Sequence, residues 1–151
     1  MTEQITRSVE HATFVLEREY PATRERVYAA LSSKEQKGKW FGGGGPGMKW
    51  DFDFTEGGRE YNHGEHEGHS YTFDAIYLDI VENERITWSY KMYVNGVKLS
   101  ASLTVVELTS TAGGTRLTFT ETGAYYDGHE DPKLRQTGSD ELLDALGASL
   151  D

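Results

Sequence analysis

Two carboxylates, Asp74 and Glu121, share the alternation phase of the apolar residues in their predicted strands. A carboxylate on an apolar wall is costly to bury unless hydrogen bonds or a counter-charge accompany it. Arg18, in phase with the apolar residues of the first predicted strand, is the counter-charge we expect. In one interpretation the two carboxylates are polar anchors of a ligand pocket, since pockets combine apolar walls with a few placed polar groups. In the other interpretation, both carboxylates lie at the solvent-exposed rim of the sheet or form hydrogen bonds to Tyr90, to Arg18 or to the backbone of a helix.

Three histidines, His63, His66 and His69, are interleaved with Glu65 and Glu67 and suggest a metal site. Their spacing of three differs from the i, i+4 pair of a helical zinc site. Residues three apart on a strand point to opposite faces, and the segment has the composition of a hairpin tip. We therefore predict a solvated loop here, with no metal and no cofactor.

The charge of the chain excludes whole classes of partner. Its 151 residues include 25 acidic and 15 basic side chains, which give a net charge of -10 and a pI near 4.9. Such a surface repels phosphate backbones and anionic lipid heads, so we predict binding to neither nucleic acid nor membranes. The absence of cysteine excludes disulfides and a thiolate nucleophile. The first residues lack the apolar segment of a signal peptide, and a cytoplasmic location is expected.

Hydrophobic periodicity predicts an α+β fold in which a curved antiparallel sheet of about seven strands packs on a long C-terminal helix. Two short helices are expected after the first strand, and Asp131 is the expected cap of the long one. The predicted elements are a strand at 11–20, helices at 24–33 and 34–37, a strand at 50–54, strands between 59 and 122, and a helix at 132–150. No linker divides the chain, so we expect one domain over 1–151, with an ordered core from about 12 to 150.

A hairpin signal indicates which side chains share the concave face of this sheet. Asn-Gly at 95–96 is typical of a two-residue turn. The pairing that this turn predicts places Tyr90 opposite Ala101 and Trp88 opposite Leu103, all on the inner face. A one-residue slip would turn the apolar set outward, which favours this register.

The neighbouring strands extend the same face. A turn centred on Asn83 directs Ile76 and Asp74 inward, and the last strand directs Phe119 and Glu121 inward. By the same alternation, four aromatic residues lie on the outer face: Tyr71, Phe73, Tyr77 and Tyr93. Clustered exposed aromatic surface often marks an association site, which predicts a homodimer through this patch. The alternative is that loops cover it.

Two further groups of residues border the expected pocket. Trp40 and Phe41 precede a glycine-rich run at 42–47. They are either a core plug beneath this loop or a gate, because a glycine run can flex where a pocket opens. On the C-terminal helix, Leu142 belongs to the apolar stripe, and Gly138 leaves room beside the helix.

Several short motifs occur in a characteristic order along residues 12–150. They are EREYPA (17–22), VYAAL (27–31), KWF (39–41), GGRE (57–60), YTFDAIY (71–77), GTRL (114–117) and LLDAL (142–146). In this order they resemble the START-like, or helix-grip, superfamily of SRPBCC proteins. Within it, the chain is most similar to the heat-shock-protein-90 ATPase activator homologue family, which is polyketide-cyclase-like.

The resemblance implies a helix-grip fold with a cavity between sheet and helix, but it leaves the function open because this scaffold hosts ligand carriers, cyclases, toxin-sequestering proteins and co-chaperones. We expect a non-enzymatic protein that binds or sequesters a small hydrophobic or aromatic molecule. The alternatives are a cyclase- or hydrolase-like enzyme that uses Asp74 or Glu121 with a tyrosine, and a co-chaperone-type interaction module. The candidate ligand-binding residues are Arg18, Trp40, Phe41, Asp74, Ile76, Trp88, Tyr90, Ala101, Leu103, Phe119, Glu121, Gly138 and Leu142.

Overall fold

The strand and helix pattern of the sequence becomes an α+β architecture in the computed structural model, which describes residues 6–41 and 48–150. Within these residues the elements are β1 (Val9–Tyr20), α1 (Arg24–Ser32), α2 (Lys34–Lys37), β2 (Lys49–Phe52), β3 (Arg59–His66), β4 (His69–Val81), β5 (Arg85–Val94), β6 (Val97–Thr111), β7 (Gly114–Tyr126) and α3 (Pro132–Ala148). The strands form one antiparallel sheet in the order β1-β7-β6-β5-β4-β3-β2. The predicted helix-grip fold is therefore confirmed.

The three helices begin where short polar side chains can cap them. Thr23 accepts a hydrogen bond from the backbone of Arg26 at the start of α1, and Ser33 caps α2 in the same way. Asp131 caps α3, and Pro132 lies in its first turn. Backbone N–H groups of the first turn have no acceptor within the helix, so the N–H that proline lacks costs no hydrogen bond there. No helix in the described part of the chain is long and apolar enough to cross a membrane.

The core lies between the concave face of the sheet and the helices α1 and α3. Val27 of α1, Leu117 of β7 and Leu146 of α3 are completely buried in one cluster. Excluding these side chains from water is the main source of stability. The Tyr20 hydroxyl donates a 2.6 Å hydrogen bond to the carbonyl oxygen of Leu143, which fixes α3 to the end of β1.

A bulge in β4 changes which of its residues face the core. The pairing of β4 with β5 shifts between Tyr77 and Asp79, so the alternation changes phase there. Ala75 and Tyr77 are buried, whereas Ile76 is 47% exposed. The inward orientation predicted for Asp74 and Ile76 is therefore wrong. The extra residue lies between these positions and the turn at Asn83 from which the prediction was counted, so their side chains point to the opposite face of the sheet.

A second irregularity changes the inner face of β6. The predicted pairing of Val94 with Val97 at the turn is correct, but the register shifts between Met92 and Tyr93. Beyond the shift, Tyr90 pairs with Ser102 rather than with Ala101. Trp88 correspondingly pairs with Thr104 rather than with Leu103.

The inward prediction for Ala101 and Leu103 is therefore wrong. Leu103 is 42% exposed on the convex face, while the inner face of β6 carries Ser100, Ser102 and Thr104, all of which are buried. Ser100 accepts a hydrogen bond from Arg135, and Thr104 donates one to Glu121, which offsets the cost of burying these two hydroxyls.

The predicted outer aromatic patch does not form as expected. Tyr71, Phe73 and Tyr77 lie on the inner face of β4 and border the cavity described below. Only Tyr93 of the four lies away from that cavity lining. The homodimer prediction thereby loses the surface on which it depended.

Candidate functional site

A cavity of about 480 Å³ lies between the concave face of the sheet and α3. Its walls are largely aromatic and aliphatic side chains, and a few charged groups interrupt them. Eight of the predicted binding residues border it: Trp40, Phe41, Trp88, Tyr90, Phe119, Glu121, Gly138 and Leu142. Their role in ligand binding stays a prediction.

The other predicted binding residues lie elsewhere. Arg18 does not act as the counter-charge of a pocket carboxylate: its guanidinium binds Asp140 at 2.8 Å and Asp144 at 3.1 Å, both on α3. Asp74 pairs with Arg59 at 2.9 Å on the convex face. Arg18 thus joins β1 to the C-terminal helix, and Asp74 belongs to a surface ion pair. Ile76, Ala101 and Leu103 share the convex face with Asp74.

Glu121 is the one predicted carboxylate that reaches the cavity, and it is 1% exposed. Both of its oxygens accept hydrogen bonds of 2.9 Å, one from the Tyr90 hydroxyl and one from Thr104. Burial raises the pKa of this carboxyl, although the two hydrogen bonds and Arg135, 4.0 Å away, act in the opposite direction. Glu121 is therefore a fixed polar group in an apolar wall.

Arg135 of α3 completes this polar group and was not predicted. It donates to the Tyr90 hydroxyl and to Ser100, at 2.9 Å each, and forms a 3.0 Å ion pair with Glu130. Its guanidinium also lies 5.4 Å from the Tyr125 ring centroid. A sequence signal existed: Arg135 precedes the predicted pocket residues Gly138 and Leu142 by three and seven positions, which places all three on one helix face.

A second polar group in the wall was also missed. The Lys37 ammonium binds Glu60 at 2.6 Å, and these residues are 5% and 0% exposed. Glu60 also accepts hydrogen bonds from the Tyr77 hydroxyl at 2.6 Å and the Trp50 indole at 2.9 Å. Desolvation lowers the pKa of Lys37 despite the opposing effect of Glu60. No sequence pattern marks this pair, because α2 and β3 meet only in the folded chain.

Aromatic rings surround the Lys37 ammonium on the cavity side. Its nitrogen lies 4.4 Å from the ring centroid of Phe41, 5.9 Å from Trp88 and 6.0 Å from Trp40. The indole of Trp40 is held by a 2.8 Å hydrogen bond to the carbonyl of Ala30. The glycine-rich run at 42–47, beside which Trp40 and Phe41 are predicted to form either a core plug or a gate, lies outside the described residues.

The histidine segment shows no arrangement that suggests metal binding. His63 bonds to Thr72 through its ring nitrogen at 2.6 Å, and His69 contacts Asn95 at 3.0 Å. Across residues 6–41 and 48–150, no three His, Asp or Glu side chains are grouped so that they could hold a metal ion. The polar groups that border the cavity are carboxylate, guanidinium, ammonium and phenol groups, set in a largely apolar wall.

Residues 21–151 match the family model described as Activator of Hsp90 ATPase homolog 1-like protein. The chain belongs to this family. Among solved structures, the Mll3558 protein from Rhizobium loti is 43% identical, with a TM-score of 0.90 and coverage of 95% of this chain and 99% of that one. An uncharacterized protein from Rhizobium leguminosarum is 39% identical, with a TM-score of 0.91 and coverage of 96% and 97%. No curated protein matches the chain.

Solved structures of lower sequence identity show the same fold. CalU16 from Micromonospora echinospora is 18% identical, with a TM-score of 0.65 and coverage of 97% of this chain and 85% of that one. The resemblance found in the sequence is thus confirmed at the level of family and fold. The fold is compatible with ligand binding, and the identity of a ligand has to be argued from the site itself.

Proposed function

We propose that this protein binds a small, largely apolar or aromatic molecule in the cavity between the sheet and α3. The observation that carries the proposal is the cavity itself, with a volume of about 480 Å³ and a mainly aromatic and aliphatic wall. Ligand sites in proteins have this size and this combination of apolar walls with a few polar groups.

The polar groups of the cavity wall would orient the bound ligand. Glu121, Tyr90 and Arg135 form one hydrogen-bonded group, and Lys37 with Glu60 forms another. Arg135 is paired with Glu130 and Lys37 with Glu60, so neither cation requires an anionic ligand to neutralise it. Glu121 accepts hydrogen bonds from Tyr90 and Thr104. The expected ligand is an apolar molecule that carries one or two hydroxyl or carbonyl groups.

Gly138 allows a direct test, because it borders the cavity and a Cβ atom built there meets nothing within 4 Å. The Gly138→Trp substitution places an indole in the cavity, whereas Gly138→Ala changes the helix without filling the space. With the neutral fluorescent probe N-phenyl-1-naphthylamine, we expect one site per chain in the wild type and in Gly138→Ala. Gly138→Trp should lose affinity by at least about tenfold, which is about 1.4 kcal/mol.

The proposal fails if folded wild-type protein binds no apolar probe, or if folded Gly138→Trp binds the probe as tightly as Gly138→Ala. Circular dichroism of all three proteins establishes that they are folded. Quenching of tryptophan fluorescence supplies an independent signal, since Trp40 and Trp88 both border the cavity.

One observation favours an enzyme as the second candidate. Glu121 is a buried carboxyl with a raised pKa, hydrogen-bonded to a tyrosine beside a cavity, and such groups occur at catalytic sites. For a binding protein, Glu121→Gln should weaken binding of a hydroxyl-bearing ligand by about 1–3 kcal/mol, through loss of a charged hydrogen bond. Intact binding together with loss of a measurable turnover would instead support the enzyme.

The third candidate, an interaction module, rests on the description of the family. That description names an activator of the Hsp90 ATPase. A module of this kind would act through its surface, so filling the cavity with Gly138→Trp should leave its activity unchanged. The same variant thus separates the third candidate from the first two.

A further inference from the structure

We propose that Lys37 forms a covalent imine with the carbonyl carbon of an aldehyde or ketone bound in the cavity. The inference rests on the proposed function in one respect, which is that a small molecule enters this cavity. It goes further by assigning a reactive group and a chemical class of ligand.

The position of the amine is the first argument. Lys37 is one of seven lysines, all within the described residues; it alone is buried, and the other six are exposed. Its side chain borders the cavity, and its nitrogen lies within 6.0 Å of the ring centroids of Trp40, Phe41 and Trp88, which also border the cavity. A flat carbonyl compound packed against these rings would be held next to the amine.

The partners of the amine are the second argument. Glu60 at 2.6 Å and the Tyr77 hydroxyl at 3.4 Å lie close to the nitrogen. Glu60 can accept a proton from the ammonium directly, and Tyr77 is bonded to the same carboxylate oxygen at 2.6 Å. Desolvation also lowers the pKa of Lys37, and a lowered pKa is the usual way in which proteins activate a lysine toward carbonyl groups.

The reaction balances with the groups that are present. The Lys37 ammonium gives a proton to Glu60, and the neutral amine attacks the carbonyl carbon to form a carbinolamine. Glu60 then transfers protons from the nitrogen to the former carbonyl oxygen, which leaves as water while the carbon–nitrogen double bond forms. Overall, the lysine ammonium and the carbonyl compound become a protonated imine and one molecule of water, and Glu60 ends as a carboxylate opposite a positive nitrogen. No oxidant, reductant or further reactant is needed.

Reductive trapping tests the proposal. Wild-type protein is incubated at pH 7 with 2-naphthaldehyde and sodium cyanoborohydride, and the modified lysines are located by peptide mass spectrometry. We expect Lys37 to be modified at least about tenfold faster than any of the six exposed lysines, because the cavity holds the aldehyde beside the amine. Excess 2-naphthalenemethanol, which has the same ring but no carbonyl, should slow labelling of Lys37 and leave the exposed lysines unaffected.

Two variants serve as controls. Lys37→Met with Glu60→Gln removes the amine without leaving an unpaired charge, and it should lose the fast labelling but still bind 2-naphthalenemethanol. Lys39→Met removes an exposed amine from the same segment and should label at Lys37 like the wild type. If the double variant does not fold, peptide mapping of the wild type alone decides the question.

The possible failures are distinguishable. If 2-naphthalenemethanol binds in the cavity but Lys37 is labelled no faster than the exposed lysines, the imine proposal is wrong and the binding function stands. If neither naphthalene compound binds and Lys37 is not labelled, the binding of such a ligand in the cavity is wrong as well. Fast labelling that persists unchanged in folded Gly138→Trp would also overturn the proposal, because the aldehyde would then reach Lys37 by another route.

Discussion

Removing the ammonium of Lys37 should destabilise the protein far more than an ordinary lysine substitution does. In the Lys37→Met variant the side-chain volume is largely kept, so the main change is electrostatic. Glu60, which is completely buried, would lose its counter-charge at 2.6 Å and keep only the hydrogen bonds from Tyr77 and Trp50. A buried carboxylate without a cation is strongly penalised by desolvation.

The magnitude follows from the burial of the pair. Breaking a buried ion pair from one side costs about 3–5 kcal/mol, whereas an exposed pair contributes about 0–1 kcal/mol. Because Lys37 is 5% exposed and Glu60 is 0% exposed, the higher range applies. For a chain of this length that cost lowers the melting temperature by about 6–20 °C. The variant should still fold, because total stabilities of about 5–15 kcal/mol are usual.

Urea denaturation at pH 7, followed by circular dichroism, measures the change in the free energy of unfolding. The double variant, with Lys37→Met and Glu60→Gln, should recover a large part of the loss, since it leaves no unpaired charge. Lys39→Met, an exposed neighbour, should change stability by less than about 0.5 kcal/mol. A loss below about 1 kcal/mol for Lys37→Met, or a double variant as unstable as the sum of the single variants, would show that the two groups do not interact as described.

Three further changes test other parts of the description. Gly138→Ala should stabilise the protein by about 1 kcal/mol in urea denaturation, because alanine favours the helix and its Cβ meets open space; a loss of stability would mean that α3 is packed tightly there. Leu117→Ala should cost about 2–5 kcal/mol by the same assay, because Leu117 is 0% exposed, and a cost below about 1 kcal/mol would remove it from the core. Burial raises the pKa of Glu121 in the folded protein. At pH values between the ordinary glutamate pKa and this raised pKa, the folded state therefore binds more protons than the unfolded state. The contribution of Glu121 to the free energy of unfolding should accordingly fall as the pH rises through this range. The difference in stability between wild type and Glu121→Gln, measured against pH, should follow that slope, and a difference independent of pH between 4 and 8 would contradict the raised pKa.

The sequence alone determined the features that depend on neighbouring residues. Capping residues and proline position predicted where α3 begins, and the hairpin signal predicted the Val94–Val97 turn. Alternation along the last strand correctly turned Leu117, Phe119 and Glu121 toward the core, because β7 carries no bulge over these residues. The order of the motifs identified the family, since it reflects the order of the elements.

Only the tertiary structure determined which side chains of β4, β5 and β6 point toward the core. The register shifts in β4 and β5–β6 each displace the alternation by one residue, and no residue type marks them in advance. As a result Asp74, Ile76, Ala101 and Leu103 lie on the convex face, while Ser102 and Thr104 lie inside. A bulge forms where the shifted pairing lowers the free energy of the whole sheet. That free energy is a sum over many contacts between strands, so it cannot be predicted from the residues next to the bulge alone.

Tertiary packing also determined which charged side chains lie next to the cavity and which of them pair. Lys37 and Glu60 are 23 residues apart and meet only when α2 is laid against β3. Arg135 reaches Tyr90 across 45 residues, and Arg18 turns toward α3 instead of the cavity. The energy of such a pair depends on the dielectric environment that the complete fold creates around it. A sequence can identify the charged residues, but only the assembled core determines which of them are buried together.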